Sequence, residues 1–124
     1  MEMREEKRAG LNLISGYGEG GFRIGSQVHK GDLLITPKEI YPWRVKSVKS
    51  IKKQSLKSIF ESDFKPEFLL LGLGNKVIDG VILARKLEKT LGLPCEVMST
   101  GAAVRTYNVL VLEGRQVAGA LIAI

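Results

Sequence analysis

From Leu11 to Thr36 apolar residues recur at short, strand-like intervals, in LNLIS, FRIGSQVHK and DLLIT, with a Gly-rich turn at GYGEGG between the first two. Phe22, Ile24 and Val28 mark the buried side of the second segment. The phase slips near Gly25-Ser26, as a bend or bulge would cause. Pro37 closes the third segment, and IYPWRV (Ile40 to Val45) is expected to form another strand, with Pro42 suiting a sheet edge.

Beyond residue 46 the period changes. Leu56, Ile59 and Phe60 have helical spacing, which predicts a short helix from about Ser55 to Ser62. FLLLG after Pro66 is a strand. A helix follows, capped by Asn75 or Asp79 and running to Leu91. Leu83, Ala84, Leu87 and Leu91 form its apolar stripe with Gly80 on the same side, while Arg85, Lys86, Glu88 and Lys89 face away. Gly92 ends the helix and Pro94 bars its resumption. CEVMS is a strand, Thr100 opens a second helix that Gly114 terminates, and RQVAGALIAI is the last strand. Strand, helix, strand, helix, strand predicts a C-terminal βαβαβ unit with parallel neighbours, joined to a β-rich N-terminal half in a mixed-sheet α/β sandwich.

A length of 124 residues fits one domain, expected over residues 11–124, with a flexible tail at 1–10. The single cysteine, Cys95, excludes an internal disulfide, and one histidine, His29, leaves no zinc ligand set; no cofactor is expected. No apolar run approaches the roughly 20 residues of a membrane span. The charged N-terminus does not read as a secretory or transit signal, so a cytoplasmic protein is expected. The net charge is +6, with six cations and no acid from Arg44 to Lys57. Such a run could meet nucleic acid, but lysines without interleaved aromatics read first as a solvated face, and nucleic acid is not the expected partner.

The chemistry of the C-terminal half centres on two places. Gly72-Leu73-Gly74 sits where a strand gives way to a helix, as in phosphate-binding loops. The third position of the dinucleotide pattern is Val77, however, and GNKVID is no Walker loop. A backbone corner is favoured over a phosphate cradle. An enzyme or small-ligand site formed by the 72–80 turn with Ser99 and Thr100 is the alternative, although Ser99-Thr100 at a helix start suits a cap better than a nucleophile. Cys95 has no evident base partner, His29 reads as exposed on its strand, and the carboxylates form no interpretable pair.

The second place is MSTGAAVRTYNVLVLEGRQVAGALI. Ala103, Val104, Tyr107, Leu110 and Val111 share one apolar helix face, and Arg105, Asn108, Val109 and Leu112 share the other. A helix apolar nearly all round is buried or covered. Arg105 and Asn108, with Glu113 and Arg115 beyond the helix end, then form either a structural hydrogen-bond network or a docking or ligand site. An exposed edge near Pro42 or the apolar second helix could support a homodimer.

Together, PEFLLLGLGN and the tail pattern of Thr100, Ala102, Ala103, Arg105, Thr106, Tyr107, Asn108, Leu110, Glu113 and Arg115 resemble the family typified by the mitochondrial respiratory complex I assembly factor three and the adipogenesis-associated protein sharing its domain. GYGEGGFRIGSQVHKGDLLITP and Trp43 are similar to that family's opening. The resemblance spans about residues 11–122. It implies a compact three-layer α/β domain with a mixed sheet, no established enzymatic activity, and protein partners, with respiratory complex I subunits as the specific expectation. Gly72-Leu73-Gly74 departs from the family's usual Gly-Thr-Gly, which removes a hydroxyl and weakens a ligand reading of Gly72 and Gly74. The lack of an organelle-targeting extension makes this look like a bacterial member.

Overall fold

The computed structural model describes residues 10–75 and 80–124. The tail expected at 1–10 therefore lies outside the described residues, Gly10 apart, and so does the Asp79 cap. Strands β1 (Ile14–Gly18), β2 (Gly21–Ile24) and β3 (Gln27–Lys30) form an antiparallel sheet of their own. Then come β4 (Leu33–Ile35), β5 (Ile40–Pro42), two 3-10 turns (Val48–Ser50 and Lys53–Leu56) and a short α1 (Lys57–Phe60). The C-terminal half runs β6 (Phe68–Gly72), α2 (Gly80–Leu91), β7 (Cys95–Met98), α3 (Thr100–Leu112) and β8 (Val117–Leu121). The main sheet has the order β5-β4-β8-β6-β7. β6 runs parallel to both β7 and β8, whereas β4 pairs antiparallel with β5 and β8, so the sheet is mixed and the βαβαβ unit forms as expected.

The layering follows from strand parity. Leu69 and Leu71 of β6 point to one side of the main sheet and Leu70 to the other. A strand covered on both faces must be apolar at consecutive positions, which is why FLLLG does not alternate. On the Leu69/Leu71 side lie α1, α2 and the 3-10 turns, packing Leu56, Ile59, Leu83 and Leu87 over the sheet. On the Leu70 side lie α3 and the three-stranded sheet, packing Ala103, Val104, Tyr107 and Phe22. The result is three layers with two cores. Gly119 of β8 leaves room for Ile35 on the neighbouring strand: a Cβ there would lie 3.0 Å from the Ile35 side chain, and at an ordinary 3.7 Å from the Tyr107 ring.

The N-terminal half departs from expectation at one turn. Gly25-Ser26 is a two-residue hairpin loop, closed by the pairing of Ile24 with Gln27, and Gly25 has φ 63°. Positive φ at the first central residue is the type II′ pattern, whose twist matches that of paired strands. The reversal swaps the sides expected beyond it. His29 pairs with Phe22 and is half-buried, while Val28 pairs with Arg23 and is 51% exposed. The bulge lies instead at Ser15, between the pairs Ile14–Ile24 and Gly16–Arg23. The first turn narrows to Glu19-Gly20, both at positive φ (52° and 78°), the type I′ pattern that glutamate seldom adopts.

β5 is the edge strand that Pro42 suggested, but it stops there. Pro42, opposite Leu33, turns its nitrogen to the open edge where no N–H is needed, and the Trp43 N–H makes one further cross-strand bond, to the Asp32 carbonyl at 3.0 Å. The helix expected over Ser55–Ser62 is realised as a 3-10 turn leading into α1.

Candidate functional site

The glycine corner is fastened by a hydroxyl. Thr100, fully buried at the start of α3, accepts a hydrogen bond from the Gly74 N–H at 2.8 Å and donates to the Ile122 carbonyl at 2.7 Å. The Thr100 N–H donates to the Gly74 carbonyl at 3.0 Å, and the Leu73 N–H to the Met98 carbonyl at 3.0 Å. One side chain thus ties together the C-terminal ends of β6 and β8 and the start of α3. Gly72 is required by space: a Cβ would lie 2.9 Å from Leu121, 3.0 Å from Ala103 and 3.2 Å from the Thr100 Cα. Gly74 is required by its φ of 68°. With the N–H groups of Leu73 and Gly74 already bonded, this corner has neither of them to offer a phosphate. Ser99 is the N-cap of α3, its hydroxyl accepting from the Ala102 N–H at 3.3 Å.

Along α3 the motif's polar groups turn towards the N-terminal sheet. The Asn108 Oδ1 accepts from the Ile14 N–H at 2.9 Å, and its Nδ2 donates to the Ile14 carbonyl at 2.7 Å. An asparagine amide carries one donor side and one acceptor side, so it can satisfy both backbone groups of a single strand residue. Tyr107, fully buried, donates its hydroxyl to the Asn12 carbonyl at 2.9 Å, and burial pushes its pKa far up. Together these two residues hang the three-stranded sheet on α3. Arg105 and Val109 stay outside, Val109 at 54% exposure.

Arg115 belongs to the other end of the sheet. Its guanidinium meets the Glu67 carboxylate at 3.1–3.4 Å and lies 5.3 Å from the centre of the Phe68 ring. Glu67 also accepts from the Gln116 N–H at 2.9 Å. That backbone donor first, and Arg115 second, hold its pKa below the usual carboxylate value. Arg105, Asn108, Glu113 and Arg115 therefore do not form one network. Asn108 binds β1, Arg115 binds Glu67, and no hydrogen bond or ion pair of the Arg105 or Glu113 side chain occurs among the described residues.

The sequence alone did not single out Glu67, Asn12 or Asp32 as partners. The Asp32 carboxylate accepts from Ala123 N–H at 2.8 Å and Val45 N–H at 3.3 Å, binding segments far apart in the chain. An isolated carboxylate before a strand carries no local sign of such a role.

The family model described as "Protein of unknown function (DUF498/DUF598)" matches residues 14–122. This chain belongs to the DUF498/DUF598 family. An uncharacterised protein from Rhodobacter capsulatus is 37% identical over 98% of this chain and 93% of its own length. The NADH dehydrogenase [ubiquinone] 1 alpha subcomplex assembly factor 3 of Xenopus tropicalis is 35% identical over 95% of this chain, which spans only 64% of that longer protein. Among solved structures, an outer membrane protein from Bartonella henselae superposes with a TM-score of 0.75 at 33% identity, covering 92% of this chain and 96% of that one.

Within the DUF498/DUF598 frame, the remaining reactive groups are poorly placed for chemistry. Cys95 is buried, its thiol directed at the Leu93 carbonyl (3.7 Å), and burial, with Glu88 and Glu96 nearby, pushes its pKa up to about 11. A thiol so protonated is a weak nucleophile. Among the described residues no three His, Cys, Asp or Glu side chains gather as a metal site. No helix among them is long and apolar enough to cross a membrane.

Proposed function

We propose that this DUF498/DUF598 chain is a non-catalytic protein-docking domain of the cytoplasm that assists assembly of respiratory complex I, with complex I subunits as its partners. One observation carries the reading. Three polar residues of the tail motif, Thr100, Tyr107 and Asn108, are spent on construction, while Arg105 stands outside on α3 beside exposed Val109. A guanidinium next to apolar surface is the make-up of an interface anchor. The assembly-factor relative supplies the setting.

Asn108 is unsuited to testing this, since its loss would free β1. The double variant Arg105→Ala/Val109→Ser changes the outer face alone. It is expected to keep its circular dichroism spectrum and lose recovery of its partner in a pull-down. Undiminished recovery by the folded variant removes α3 from the account. Sedimentation of the pure protein distinguishes a second copy of the chain from a foreign partner.

A further inference from the structure

On the opposite layer, the 3-10 segment and α2 enclose a half-open cavity of about 530 Å³. Its walls are Val48, Ile51, Ile82 and Leu83, and its remaining lining residues are Lys49, Lys52 and Lys86; none of the described lining residues is acidic. Ile82 is 65% exposed, the most exposed large apolar side chain among the described residues, and its neighbour Val81 is 58% exposed. Of the two, Ile82 lies on this wall, so the groove combines a bare isoleucine with a concave apolar surface and a lysine rim.

We infer that this groove is a docking site for an acidic amphipathic helix of a partner protein, whose apolar side chains enter the cavity while its carboxylates meet Lys49, Lys52 and Lys86. The inference rests on the protein-docking reading above and adds a second surface with a stated chemistry. Charge complementarity selects an acidic occupant, because three ammonium groups share one rim and no carboxylate is among the described lining residues. The open apolar wall selects a macromolecule: Ile82, at 65% exposure on that wall, is covered when an amphipathic helix lays its apolar face along the groove. Concavity selects a protruding side chain over a flat bilayer. The described lining residues include no aromatic or arginine, the stacking groups by which nucleic acid is held.

The test uses the whole chain and two synthetic helical peptides, with leucine at i, i+3, i+4 and i+7 and either glutamate or lysine elsewhere. Titrations are followed by amide shifts in heteronuclear NMR. The glutamate peptide is expected to shift Val48, Ile51, Ile82 and Leu83 saturably, and the lysine peptide is not. Lys49→Glu/Lys52→Glu/Lys86→Glu, all at exposed positions, is expected to weaken the glutamate peptide by about tenfold or more and to admit the lysine peptide. Ile82→Ser weakens both pairings. Equal binding of the two peptides, shifts mapping elsewhere, or a groove that answers to anionic vesicles or duplex DNA but not to the acidic peptide overturns the inference. The pull-down of the previous section separates the two readings. If partner recovery depends on Arg105 and Val109 while the groove ignores both peptides, docking stands and the groove falls. If the groove binds the glutamate peptide and partner recovery does not depend on Arg105 and Val109, the groove stands and the α3 surface falls.

Discussion

The two outer layers solve the same packing problem with different chemistry. On the Leu70 side of the main sheet, α3 and the three-stranded sheet are joined by directed bonds: Tyr107 to Asn12, Asn108 to Ile14, and Thr100 to both Gly74 and Ile122. On the Leu69 side, α2 and the 3-10 segment rest mainly on aliphatic contact, with Ile51, Leu56, Ile59, Leu83 and Leu87 buried and Ile82 left in solvent, and α2 is tied to the sheet by one side-chain bond, from the Cys95 N–H to the Glu88 carboxylate at 3.1 Å. Directed bonds fix one arrangement, because a buried group that loses its partner is costly. Aliphatic contact tolerates substitution as long as volume is kept. The motif-rich face is therefore the framework, and the plainer face is the one with surface to spare.

That contrast can be broken most forcefully at Tyr107. Tyr107→Ala removes the largest fully buried side chain and is expected to cost about 3–5 kcal/mol in urea unfolding; a smaller loss would mean that α3 is not the keystone. Next comes Thr100→Val, which keeps the volume but strands the Gly74 N–H and the Ile122 carbonyl, for about 2–3 kcal/mol. Asn108→Ala is expected to cost about 1–2 kcal/mol and to raise hydrogen exchange selectively in residues 14–30, since it releases the small sheet and not the main one. Uniform exchange would refute the pinning role.

Smaller again is the Glu67–Arg115 contact, exposed at the far end of the sheet. Glu67 has a lowered pKa in the fold, so its contribution is present above the ordinary glutamate range and is lost as pH falls through the lowered value. The difference in stability between wild type and Glu67→Gln should therefore shrink in acid, and Arg115→Ala should reduce it only in part, because the Gln116 N–H remains. Smallest of all is Ile82→Ser, expected within about 0.5 kcal/mol of wild type. A large loss there would show that Ile82 is a core residue and not part of an open surface.

Local pattern determined much of this protein. The apolar run at β6, the stripe of Leu83, Ala84 and Leu87, the terminators Gly92 and Gly114, and the edge position of Pro42 all follow from period, capping and backbone chemistry, which act over a few residues. Tertiary structure decided the rest. It turned Gly25-Ser26 from a bend into a hairpin, which exchanged the sides of Val28 and His29. It sent Asn108 to Ile14 and Arg115 to Glu67, partners 94 and 48 residues away. A short polar side chain carries no mark of which distant backbone group will need it. Only the meeting of α3 with the small sheet, and of β6 with β8, brings such pairs within hydrogen-bond distance.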